Sequence, residues 1–250
     1  MSPAPAPSPS SARPDPRLVV VTGASQGIGA AVAQAFAARW GGAARLALVA
    51  RSADRLERVA EACRARGAEA RAFPCDVTDD AAVAAMAEAA RAWAGAPAVL
   101  VCNAGAFVPG GFFETTPEAF RGQLEVNLTS AFLVARALVP AMLAARDGRV
   151  LFMGSVASVQ GYPRGAAYGA AKHGLLGLAR ALRAETRGSG VGVTALLPGA
   201  TRTPSWDGAG VPDERLMPAE DIARLCVDVA EMSPRTVVEE LLVRPAQGDL

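Results

Sequence analysis

Two patterns of apolar positions alternate along the 250-residue chain. Short unbroken runs of aliphatic and β-branched residues read as strands buried on both faces. They cover Arg17–Thr22 and residues 45–50, 70–75, 98–102, 149–153, 191–197 and 237–243. Between them the apolar positions recur at helical spacing. This predicts helices over residues 28–40, 54–66, 79–93, 117–146, 165–187 and 219–231. In the first of these, Ile28, Val32 and Phe36 share one face. The long segment 117–146 is expected to break near Gly122.

Strands that alternate with helices predict an α/β fold with a parallel sheet covered on both faces. Right-handed crossovers then make the sheet doubly wound, with ligands at the carboxyl ends of its strands. About seven strands fall in one domain over residues 17–250. Residues 1–16 are rich in Pro, Ser and Ala, lack the apolar core of a signal peptide and read as a flexible tail.

Composition narrows the function. The formal charge is +1 and no basic stripe is present, so nucleic acid is not an expected partner. No apolar run is expected to span a membrane, and the cytoplasm is the expected compartment. The cysteines are Cys63, Cys75, Cys102 and Cys226. They form no C-x-x-C pair, which predicts packed free thiols and neither a disulfide framework nor a metal site.

Thr22-Gly23-Ala24-Ser25-Gln26-Gly27-Ile28-Gly29 follows the first strand and opens the first helix. Glycines there allow a tight turn and close backbone approach, and the helix N-terminus attracts a pyrophosphate. The second strand ends at Ala50-Arg51-Ser52. An acidic residue would bind the ribose 2′-hydroxyl of NAD at this point. Arg51 offers instead a planar fork of donors suited to a 2′-phosphate, which favours NADP(H) over NAD(H). The plain alternative is a solvated arginine at a helix start.

Together with Tyr168 and Lys172, four apart on a predicted helix, this loop resembles that of the short-chain dehydrogenase/reductase family, compact type. The resemblance runs from Arg17 to the C-terminus. It implies a Rossmann-type fold and an NADP(H)-dependent oxidoreductase acting on a CH–OH group or a carbonyl. Gly23, Ser25, Gln26, Gly27, Ile28 and Gly29 would hold the pyrophosphate, and Arg51 and Ser52 the ribose end. Asp76 and Val77 match the family's adenine-contacting pair; Asp76 also reads as a cap upstream of the 79–93 helix. Asn103-Ala104-Gly105 matches the last three positions of the family's N-N-A-G, with Cys102 in place of the first Asn. Pro198, Gly199 and Thr203 match its nicotinamide-side segment, or form an ordinary strand-ending turn.

The family's catalytic tetrad would be Asn127, Ser155, Tyr168 and Lys172, the last two also touching cofactor. Lys172 is the only lysine, and both asparagines, Asn103 and Asn127, fall on family positions. A free phenol titrates near pH 10, and a cation about 5 Å away supplies on the order of 3 kcal/mol toward ionising it. Lys172 is therefore expected to pull Tyr168 down. Ser155 would polarise the substrate oxygen and Asn127 would hold a water for proton resupply. His173 reads as a packing residue. Tyr162 reads as either a pocket wall or a loop residue.

The segments 106–111, 156–162 and 204–217 are mostly apolar, which suits a ketone, aldehyde, 3-oxoacyl group or secondary alcohol. The expected protein is a carbonyl reductase, and the resemblance implies a homo-oligomer, a dimer or tetramer. Two alternatives remain on the same fold. One is an NADP(H)-binding sensor without turnover. The other is a dehydratase or epimerase.

Overall fold

The computed structural model describes residues 16–250. The expected tail therefore lies, but for Pro16, outside the described residues. Seven parallel strands form one sheet in the order β3-β2-β1-β4-β5-β6-β7. They are β1 (Arg17–Thr22), β2 (Ala44–Ala50), β3 (Glu69–Pro74), β4 (Pro97–Cys102), β5 (Gly148–Met153), β6 (Val191–Pro198) and β7 (Glu240–Val243). The helices are α1 (Gly27–Trp40), α2 (Ala53–Arg64), α3 (Asp80–Ala94), α4 (Pro117–Leu124), α5 (Ser130–Ala145), α6 (Ala166–Glu185) and α7 (Ala219–Ala230).

Side chains of successive strand residues point to opposite faces. Val19 and Val21 of β1 join Phe36 and Trp40 of α1 and Ile222 of α7 on one face. Leu18 and Val20 join Val83 of α3, Leu138 of α5 and Leu175 of α6 on the other. Both faces of the sheet are therefore dry, which is why the strands are apolar without alternation. All four cysteines are free and buried in these cores. Burial pushes the Cys63 thiol up to about 11 and those of Cys102 and Cys226 up to about 12, so none is poised to react.

Strand order reverses beside β1: the chain adds β2 and β3 on one side, then returns to place β4 on the other. The crevice above β1 and β4 is the ligand position of a doubly wound sheet.

Two expectations about the 117–146 segment change. The helix does not break at Gly122, which lies inside α4. It widens instead into a π-turn over Glu125–Thr129, where the Ser130 N–H reaches back to the Glu125 carbonyl. The continuous helical run Pro117–Ala145 is also long and apolar enough, by length and composition, to cross a membrane. Its Val134, Leu138 and Met142 are buried in the core beside α3 and α6, which accounts for the apolar stripe as packing. The last strand starts at Glu240 rather than at residue 237.

Candidate active site

The Gly-rich turn is built at the reversal point. Gln26 precedes α1 in extended conformation and places no side-chain cap on the helix. The first amides of α1 therefore face outward without intrahelical acceptors. Gly29 packs tightly beneath the turn: a Cβ there would lie 2.6 Å from Asn103 Nδ2 and nearer still to the Gly23 carbonyl oxygen. Asn103 is the tie between the two halves of the crevice. Its Nδ2 donates to the Thr22 carbonyl at 3.0 Å, and its N–H donates to Thr22 Oγ1 at 3.0 Å. The Ala104 N–H reaches the same hydroxyl at 3.1 Å. Thr203 closes the other side, its methyl 3.1 Å from where a Gly27 Cβ would stand. Pro198 ends β6, and the Gly199 N–H donates to the Val243 carbonyl at 2.8 Å.

Arg51 is exposed at the head of α2, beside the half-buried Ser52. Asp76 is not the cap of α3; Asp79 is, accepting from the Ala82 N–H at 3.0 Å. One Asp76 oxygen instead accepts from the Thr78 N–H at 3.0 Å and hydroxyl at 2.8 Å. These bonds hold its carboxyl below the usual range, with a smaller contribution from Arg51. Val77 is buried beside it. Sequence reasoning missed Arg55, whose guanidinium donates to Gln26 Oε1 at 2.8 Å. Its place in the first turn of the predicted 54–66 helix, just past Arg51, was the available signal.

The second half of the site sits between α6, the π-turn and the turn Val156–Ser158, against both of which α6 packs. Tyr168 and Lys172 lie one turn apart on α6. Ser155 caps the 156–158 turn in a reciprocal box: its hydroxyl accepts from the Ala157 N–H, and its N–H donates to Ser158 Oγ. Ser155 stands near enough to Tyr168 to favour ionisation of its phenol. Lys172, 4% exposed, places Nζ 5.5 Å from the Tyr168 ring centre and donates to the Met153 carbonyl at 2.8 Å. Asn127, 1% exposed, grips Ala106 by both backbone groups, accepting at 3.2 Å and donating at 2.8 Å. A side chain on Gly105 would strike Asn127 Oδ1 at 2.6 Å and approach Lys172 Nζ at 3.6 Å. The Asn103–Gly105 segment, Asn127 and Lys172 therefore converge on one point.

The expected lowering of Tyr168 is not what the structure shows. Burial pushes its phenol up, and Ser155 only partly offsets this. Burial also pulls Lys172 down to about 8, because a buried ammonium loses its hydration. Desolvation is the leading cause for both groups. His173 is exposed rather than packed, with Nδ1 2.8 Å from the Gly169 carbonyl.

A lysine lowered on folding destabilises the folded state below its folded pKa, where both states are protonated and the whole penalty applies. The penalty fades between about pH 8 and 10.5 and vanishes above. It amounts to on the order of 3 kcal/mol, less about 1 kcal/mol for the Met153 hydrogen bond. Lys172→Met is thus expected to raise the urea midpoint at pH 7 and to leave it near wild type at pH 10.5. An equal gain at both pH values would show that the lysine is not a buried charge.

A cavity of about 580 Å³ opens among α1, α7 and the segment 202–207; Gly27 and Thr203 line it, but none of Asn127, Ser155, Tyr168 or Lys172 does. The proton chemistry lies with the converging polar groups, not with this void.

Residues 17–210 match the family described as short chain dehydrogenase. The chain belongs to the short-chain dehydrogenase family. This short-chain dehydrogenase is 34% identical over 244 residues to a sepiapterin reductase of Chlorobaculum tepidum, covering 93% of this chain and 98% of the relative. A metagenomic short-chain oxidoreductase solved in complex with NADP superposes with a TM-score of 0.80 at 34% identity, over 93% of this chain and 98% of that one. An alcohol dehydrogenase from the archaeon Thermococcus sibiricus, complexed with 5-hydroxy-NADP, gives 0.85 at 30% identity, over 92% and 97%.

Proposed function

We propose that this short-chain dehydrogenase is an NADP(H)-dependent oxidoreductase that interconverts a carbonyl compound and its alcohol. The observation that carries the reading is the buried Tyr168 phenol, with the Lys172 Nζ 5.5 Å from its ring centre and Ser155 near enough to lower its pKa.

The residues present fit the cofactor. Gly23, Ser25, Gln26, Gly27, Ile28 and Gly29 would hold its pyrophosphate, in a cradle that a Cβ at Gly29 would fill. Arg51 and Ser52 would take the 2′-phosphate, with Arg55 beside them through Gln26. Asp76 and Val77 would bound the adenine. Asn103, Ala104, Gly105, Pro198, Gly199 and Thr203 would bound the nicotinamide end. When bound, NADP(H) supplies or accepts the hydride at the substrate carbon. Tyr168 gives the substrate oxygen its proton, or takes it away in oxidation. Ser155 donates to the same oxygen and fixes its position. Lys172 steadies the phenol by its charge, and Asn127 keeps the Ala106 backbone in place beneath the site. The relatives' printed activities and the NADP of two solved neighbours support the assignment.

A binding-only sensor would have no use for a buried phenol flanked by Ser155 and Lys172. The cytoplasm and self-association belong to the same proposal. Buried free thiols suit a reducing compartment. Phe120 and Phe132 on the α4–α5 run, and Leu242 on β7, present apolar surface for a second copy.

Titration of the purified protein with NADPH and NADH, followed by nucleotide fluorescence at fixed salt, tests the cofactor. NADPH should bind more tightly. Arg51→Asp should weaken NADPH on the order of a hundredfold, through a lost charge-assisted contact and an added repulsion, and NADH far less. Equal weakening of both would remove Arg51 from the phosphate site.

A further inference from the structure

We infer that Phe107 and Tyr162 form an aromatic wall beside Tyr168 that selects substrates whose reacting carbonyl sits on a flat ring. The inference rests on the oxidoreductase reading above and names its substrate class.

Phe107 meets Tyr168 edge to face, with ring centres 5.2 Å apart and planes at 71°. It meets Tyr162 at 6.2 Å and 54°. One ring thus touches both the proton donor and a second tyrosine, yet stays 44% exposed. Its open surface lies where a substrate bound at Tyr168 would extend.

Both loops that carry the wall are braced. Ala106, immediately before Phe107, is held on its N–H and its carbonyl by the buried Asn127. Tyr162 lies flat over Gly165, where a Cβ would stand 2.6 Å from its Cζ. The two loops are joined by a bridge between Gly110 and Gly165, in which the Gly110 N–H donates to the Arg164 carbonyl at 2.9 Å. Arg164 adopts a left-handed φ of 60° and pairs with Glu114 across the same gap at 3.7 Å. A preformed wall loses little freedom on binding, which is what makes a ring surface selective.

Arg164 is engaged by Glu114, and Arg202 by Asp207 and Asp213 at 2.8 and 3.0 Å. Arg215, on the same segment as Arg202, bonds the Asp249 carbonyl at 3.5 Å and keeps its Nε unpartnered, so selection by the wall rests on ring contact rather than on charge. Burial holds the Tyr162 phenol up at about 12, so it stays neutral at working pH. A planar ring gains offset or edge contact with Phe107 beyond the area it buries, whereas an alkyl chain gains only area.

The test compares kcat/KM for acetophenone and 2-octanone, two ketones of equal carbon number, with NADPH in the wild type, Phe107→Leu and Tyr162→Leu. The wild-type ratio should favour acetophenone by roughly tenfold, and each leucine should bring it toward one. Leucine keeps apolar bulk, and an unchanged NADPH titration certifies the fold of each variant. A wild-type ratio near one, or a ratio that neither leucine moves, overturns the aromatic wall and leaves the oxidoreductase standing. Turnover of neither ketone, nor of any other carbonyl compound, in protein that binds NADPH overturns both.

Discussion

Tyr168→Phe should lower turnover by at least about a hundredfold while NADPH affinity stays within about threefold of wild type. Phenylalanine keeps the ring, so the edge contact with Phe107 and the packing of α6 survive. Only the hydroxyl is lost, and with it the influence of Ser155 on the phenol. Without a donor at that point, the developing alkoxide must take its proton from water, which the buried site admits poorly. Steady-state kinetics and a nucleotide titration on the same preparation separate the two effects. Retained turnover would end the proton-donor role. A parallel loss of NADPH affinity would show that the hydroxyl serves binding instead.

The same residue sets a pH dependence. Burial raises the Tyr168 phenol, so the protonated donor persists throughout neutral pH. Reduction should be flat through that range, because the acid form is already complete. Oxidation needs the phenolate and should climb with pH. Lys172, at about 8, loses its charge over part of that climb and weakens its help to the phenolate, which should flatten the upper limb. The residual rate of Tyr168→Phe should show no such climb.

What the sequence could show depended on the range of each interaction. β1 and β4 were legible because strands dry on both faces leave no polar residue in Val19–Val21 or Val99–Val101. Tyr168 and Lys172 were legible because a spacing of four places two side chains on one helical face. The π-turn at Asn127 was not. One extra residue per turn has no compositional mark, and the visible weaknesses of the segment, Gly122 and Pro140, both lie away from it. That turn nevertheless decides where Asn127 points, and the widened geometry belongs to the site rather than to the packing.

Contacts between distant loops were also hidden. Gln160, Arg244 and Asp249 meet in one polar cluster: Arg244 pairs with Asp249, and both bond Gln160. Eighty-nine residues separate Gln160 from Asp249, and each alone is an ordinary surface residue. The charge argument for Tyr168 failed for a related reason. Spacing gives the distance to Lys172 but not the burial around both groups, and burial decided the sign.

Gly29→Ala should reduce NADPH affinity by at least about a hundredfold, although helix propensity alone favours it by about 1 kcal/mol. The added carbon would stand 2.6 Å from Asn103 Nδ2 and closer to the Gly23 carbonyl, and neither neighbour is free to yield. The Gly23 carbonyl is backbone. Asn103 is tied to Thr22 by its side chain and by its own amide, and Ala104 by the same hydroxyl. Any relief must therefore part β1 from β4 at the point where the sheet reverses. Overpacking of this kind costs about 1–3 kcal/mol, more than propensity returns, so the variant should also unfold at lower urea. The two losses are separable. Titration at low temperature, where circular dichroism shows the variant folded, reads the cradle alone. Full affinity in that folded variant would mean that the turn between Gly23 and Gly29 does not carry the nucleotide. A large loss there, with NADH falling as far as NADPH, would place the damage at the pyrophosphate shared by both and not at Arg51.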